Sequence, residues 1–183
     1  MTGIVQSIRG ECMRYKSLAE AAFAQVAETD LSVDGPNGGN SMAVIAWHVS
    51  GNLRSRFTDF LTSDGEKPWR HRDEEFEKRA VSRVELDEKW NGGWAALLAT
   101  LDSLTDADLA RTVTVRQQPM LVSEALHRAL AHLAYHTGQI VYLGKVFKGD
   151  QWKSLSIPLG QSETYNRNPI SERPDAHAAH LKR

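Results

Sequence analysis

Cysteine is nearly absent. Cys12 is the sole one among 183 residues, so no disulfide can form within the chain, a usage that agrees with a reducing cytoplasm. Long apolar runs are missing too. No stretch approaches the roughly 20 residues that carry a helix through a bilayer, and the opening residues, MTGIVQSIRGECMRYK, lack the basic-then-apolar order of a signal peptide. These shortages predict a cytoplasmic protein with no membrane partner. Charge of one sign is also lacking: 22 Lys and Arg stand against 23 Asp and Glu, a formal net charge of -1. With no basic stripe on any predicted helix, nothing argues for nucleic acid as a partner. Repeats and low-complexity segments are absent, and the length suits one domain with a sizeable core.

What is present is organised around residues 123–148, SEALHRALAHLAYHTGQIVYLGKVFK, which read as one helix. Ser123 suits an N-cap. Glu124 suits the positive end of the helix dipole and Lys145 and Lys148 its negative end, with Gly149 as a stop. At ~100° per residue, Ala125, Ala129, His132, His136, Ile140, Leu143 and Phe147 fall on one stripe. Two imidazoles thus lie in the middle of the face that should be core. Four residues apart, they project side by side from adjacent turns. That is the spacing by which a helix gives one metal ion two nitrogen ligands. The pattern also arises by chance, and a buried histidine is often a hydrogen-bonded core residue. Two buried imidazoles without partners, however, cost on the order of 2 kcal/mol or more, which a metal would offset.

Residues 4–28 predict a first helix, with Ile4, Ile8, Cys12, Tyr15, Leu18, Ala22 and Val26 at helical spacing. Residues 31–40, LSVDGPNGGN, must be a loop. A second helix is expected over 41–63. Met42, Val49, Leu53, Phe57 and Phe60 form its apolar stripe, and Ser41, His48, Asn52, Ser55 and Asp59 a polar stripe beside it. His48 therefore sits at the edge of a buried face and can look sideways into a helical interior. Residues 62–75 form a loop where Arg70, His71 and Arg72 meet Asp73, Glu74 and Glu75. A solvated surface with cancelling charges accounts for most of it; a lid through which Trp69 or Arg70 reaches a site is the sharper alternative.

Ser82 and Glu85 fit a capping box opening a third helix to about residue 104, with Val84, Leu86, Trp90, Trp94, Leu97, Leu98 and Leu101 on its apolar face. Gly92 and Gly93 in its middle predict a close helix approach or a bend. Residues 112–115 and 120–122 suggest a small hairpin. Beyond Gly149 the chain is irregular. Trp152, Leu155, Ile157 and Leu159 should pack, whereas the end from residue 168, with His177 and His180, is expected to be mobile and exposed. The domain then spans 1–166, with 167–183 a disordered tail. The fold class is all-α: a four-helix bundle with long connections and an irregular C-terminal tail.

Residues 41–70, SMAVIAWHVSGNLRSRFTDFLTSDGEKPWR, and 129–145, ALAHLAYHTGQIVYLGK, resemble the DinB/YfiT-like metalloenzyme superfamily. With 156–166, SIPLGQSETYN, they look closest to one of its branches of unknown function. The resemblance runs from about residue 4 to residue 166. It implies a DinB-like four-helix bundle, a homodimer, and a divalent metal held by three histidines. His48 matches the ligand on the second helix, and His132 and His136 match the pair on the last.

Three neutral imidazoles leave the fourth position of a tetrahedral zinc open; nickel or iron accepts three nitrogens with further ligands. Such an ion lowers the pKa of a bound water to about 7, or binds a thiolate. The superfamily includes thiol-dependent transferases and isomerases and proteins described as hydrolases. The expected function is therefore a metal-dependent hydrolase or thiol-dependent transferase acting on a small-molecule substrate. The alternative is a non-catalytic metal-binding or structural dimer with a stress-response role. No residue stands out as catalytic. Asn52, one turn from His48, and Gln139, beside His136, are candidates for orienting a ligand or supporting the metal. Asp59, nearly three turns along the His48 stripe, is a candidate base. Polar residues at a bundle edge are the alternative reading of Asn52 and Gln139. Tyr135 points about 100° away from His136 and is expected at an interface or in the core.

Overall fold

The structure, a computed structural model, describes residues 3–182. Four long helices carry it: α1 (Ile4–Gln25), α2 (Met42–Phe57), α3 (Arg83–Ser103) and α4 (Val122–Lys148). An antiparallel hairpin, β1 (Thr112–Val115) and β2 (Gln118–Leu121), precedes α4, and two short helices, α5 (Ser162–Arg167) and α6 (Pro174–His180), follow it. The chain is mostly helical, as its periodicity predicts. No helix among the described residues is long and apolar enough to cross a membrane.

Packing follows from the apolar stripes. α2 lies mainly on α3 and α1 mainly on α4, and the two pairs meet through slimmer α2–α4 and α1–α3 contacts. Leu53, Leu86, Trp90, Trp94, Leu97, Leu126, Leu133 and Ile140 fill the middle and are buried, each contributing about 1.5–3 kcal/mol of transfer free energy before entropy is charged against it. Gly93 realises the expected close approach: a Cβ there would sit 2.5 Å from the Ser50 Cα on α2. Gly92 faces open space, and Val84, expected on the apolar face, is exposed.

Helix ends depart from expectation for local reasons. Ser41 caps α2, its hydroxyl accepting from the Val44 N–H at 3.2 Å. α2 then stops at Phe57 instead of running to 63. Asp59 adopts a left-handed φ of 49°, a conformation Asp tolerates, and its carbonyl accepts from the Thr62 and Ser63 N–H groups. α4 begins at Val122, so Ser123 lies inside the first turn; Glu124 secures the end by accepting from the Leu121 N–H at 2.7 Å. The hairpin turns on Arg116 and Gln117, both at positive φ, as a two-residue connection twisting with its strands demands. The Asp64 carboxylate accepts from both of their N–H groups, at 2.8 and 2.7 Å, and so ties the 62–75 loop to the hairpin.

Within the segment expected to be a disordered tail, 167–183, the described residues to 182 carry a short helix, and Arg183 lies outside the described residues. Pro174 opens α6, where its missing N–H costs nothing, and α6 packs along α1. His177 is buried and donates through Nε2 to the Leu155 carbonyl at 2.8 Å. Arg14 on α1 donates to the Glu172 carbonyl at 2.7 Å. His180 is exposed, as anticipated. Trp152 and Leu155 pack on the core, Trp152 against Gly144, whereas Ile157 and Leu159 stay exposed.

Candidate metal centre

α2 places His48 and α4 places His132 and His136 around one point. His132 Nε2 lies 3.1 Å from His48 Nε2 and 3.1 Å from His136 Nε2. The edge of a tetrahedron of nitrogens at ~2.0–2.1 Å from a metal ion is about 3.3 Å, so the spacing suits a shared ion. No other His, Cys, Asp or Glu joins the cluster among the described residues.

Proton counting strengthens the fit. His48 Nδ1–H donates to Glu75 Oε2 at 2.9 Å, and His136 Nδ1–H donates to Gln139 Oε1 at 2.7 Å. Both acceptors fix the tautomer, leaving both Nε2 atoms as bare lone pairs. Neutral His132 has one proton. On Nε2 it serves one facing lone pair and leaves the other unmet; on Nδ1 it leaves three lone pairs facing one another. His132 Nδ1 is itself buried without a partner. A cation between the rings satisfies every Nε2 at once. Burial is the first cause holding His132 down to about 3, with the neighbouring His136 and His48 adding to it. Burial likewise lowers His136 to about 4 against the opposing hydrogen bond to Gln139. Both are therefore neutral imidazoles at neutral pH, the form that can ligate a metal ion.

The support beneath His48 comes from the 62–75 loop. Arg70 grips Glu75 with a two-pronged pair, Nε to Oε1 at 2.8 Å and Nη2 to Oε2 at 2.9 Å. Burial pushes the Glu75 carboxyl up, but hydrogen bonds from His48 and Arg70 and the charge of Arg70 outweigh it and hold the group below the usual carboxylate range. Gly51 makes room for it: a Cβ there would lie 2.0 Å from Glu75 Oε1. Phe76 stacks on the His48 ring, centroids 4.6 Å apart. From this loop Arg70 thus reaches inward and lines the pocket beside His48, while Trp69 stays 47% exposed.

Glu75 escapes sequence reasoning because it sits in a run of charges that reads as solvated surface. The available signal was Gly51, a helix-weakening residue mid-helix on the His48 side, which asks what packs against it. Gln139 holds His136 as described, and Asn52 lines the pocket beside His48. Asp59 does not join the site: the turn carries it off the helical stripe, and it is exposed and outside the pocket lining. Tyr135 is 64% exposed, its ring edge-on to His136.

A pocket of about 240 Å³ opens on His48 and His132, with Phe57, Phe60 and Met120 among its walls. No curated protein and no solved structure matches the chain. Over residues 2–161 the sequence matches DUF1572, a family of proteins of unknown function, and the chain belongs to that family.

Proposed function

We propose that this protein is a metal-dependent enzyme of the DinB-like four-helix-bundle type, with a divalent ion on His48, His132 and His136 acting on a small molecule by hydrolysis or thiol transfer. The observation that carries the reading is the set of Nε2 atoms turned toward one point, two of them stripped of protons by Glu75 and Gln139. Zinc or nickel suits three neutral imidazoles, and iron is also compatible with them. When bound, the ion supplies Lewis acidity to a ligand oxygen or sulfur on the side the protein leaves open.

The chain's own residues do the rest. Glu75 holds the His48 ring in its ligating tautomer and raises its basicity, and Gln139 does the same for His136. The nearby carboxylate is engaged with His48 Nδ1 and Arg70, so it does not fill a fourth ligand position. Asn52 offers an amide donor and acceptor to orient a ligand beside His48. Phe57, Phe60 and Met120 give the pocket an apolar wall.

The test is elemental mass spectrometry on untagged protein beside His132→Ala. The expected result is about one zinc, nickel or iron per chain, as a single three-ligand site holds, lost in the variant while helical circular dichroism persists. Loaded protein should then turn over ester or thiol-transfer substrates, and His132→Ala should not. Failure of the wild-type protein to take up any divalent ion on reconstitution would reduce the trio to a hydrogen-bonded core cluster and end this reading.

A further inference from the structure

The pocket that opens on His48 and His132 is walled by five arginines, Arg56, Arg70, Arg72, Arg116 and Arg128, and by no acid. Counter-ions are too few for them. Glu66 serves two, Arg56 Nη1 at 3.1 Å and Arg116 Nε at 2.9 Å. Glu75 serves Arg70 while also accepting from His48. The ion pair of Arg72 is a 3.6 Å contact with Asp73, whose side chain is fully exposed. Arg128 has no ion-pair partner among the described residues. At least two positive charges are therefore in surplus around a partly enclosed space, where screening by water is weakened.

A second observation points the same way. The Arg70 side chain is only 2% exposed, yet its Nη1 is buried with no acceptor. A buried, charged donor left unpaired is costly, and Arg70 lines this pocket as well as a second one beside Trp69 and Arg79, so its charge adds to the positive field an oxyanion would meet here. The remaining wall is apolar, from Phe57, Phe60, Val115 and Met120. Guanidinium groups pair with carboxylates and phosphates through parallel N–H donors, and the apolar wall suits a hydrocarbon body.

We infer that the pocket binds a small organic oxyanion, a carboxylate or phosphate monoester on an apolar body, as the substrate of the proposed site. The assignment to that substrate rests on the metal-dependent reading; anion binding itself rests on the arginines.

Calorimetric titration of metal-free and then zinc-loaded protein with benzoate, phenyl phosphate and the neutral benzamide tests it. At least one anion should bind the metal-free protein about tenfold or more tighter than benzamide, and less tightly as salt is raised. The stronger of the two anions identifies carboxylate or phosphate as the preferred group. Arg116 and Arg128 are exposed, so Arg116→Gln and Arg128→Gln should fold, keep their zinc stoichiometry, and together lose about tenfold in anion affinity. His132→Ala should lose zinc and keep anion binding. Benzamide binding as well as the anions, neither anion binding, or an unchanged affinity in the double variant would overturn the inference. A wild-type protein that binds anions and no metal would sink the proposed enzyme alone.

Discussion

At His48 the Nδ1–H donates to Glu75, and Glu75 is held by Arg70, so changes that never touch a bound ion should still affect its binding. Glu75→Ala is expected to weaken zinc binding by about 10–100-fold with the helical fold intact, the usual scale for losing a group that orients a ligand. Gly51→Ala should act in the same direction, because the added methyl needs the space that Glu75 Oε1 fills. Competition with a chromophoric chelator reads both, and wild-type affinity in Gly51→Ala would contradict the arrangement. Acid acts on the same rings. His132 and His136 titrate below their ordinary 6.5 when folded, so in acid the unfolded chain binds protons first. Stability of the metal-free protein is then full above about 6.5 and falls as pH drops toward about 3. Thermal midpoints followed down this range should decline, and His132→Ala should flatten the decline. The histidines themselves were legible, since i, i+4 spacing and a polar stripe beside an apolar one are periodic signals. Arg70 was legible only as one of two residues the 62–75 loop could send inward, and Glu75 was not legible at all, because their partners are fixed by a loop's path through space.

Glycines separate two effects at the level of the helix. Gly93→Ala would drive a methyl into the α2 backbone at Ser50, costing on the order of 1–3 kcal/mol by overpacking. Gly92→Ala meets nothing and should stabilise α3 by about 1 kcal/mol through helix propensity alone. Opposite shifts in denaturant midpoint would verify the pair, whereas equal shifts would mean that α3 does not press on α2 there. The pattern of apolar residues identified all four long helices and the hairpin. It misplaced the ends of α2 and α4, because a left-handed Asp59 and a Glu124 that caps through its side chain are decided by single backbone hydrogen bonds. Such bonds leave no periodic trace.

For the whole molecule, the segment after residue 166 is the informative part. A chain ending at 166 is expected to fold and bind zinc with wild-type stoichiometry but to melt at a lower temperature, since α6 covers part of α1 and buries Ala178 and His177. Differential scanning calorimetry beside elemental analysis would show it, and an unchanged melt would mean that α6 adds nothing. Its helix was hidden because seven residues are too few to display a face, and because charged neighbours dominate the composition.

The meagre contact between α2 and α4 has a mechanical consequence. His48 and His132 stand 84 residues apart in the chain and belong to different helix pairs. An ion held by both rings would be a clasp across the seam between those pairs, where packing is slimmer than within either pair. Opening of the seam would then be timed by how long the ion stays, and amide hydrogens on both sides of it would exchange together.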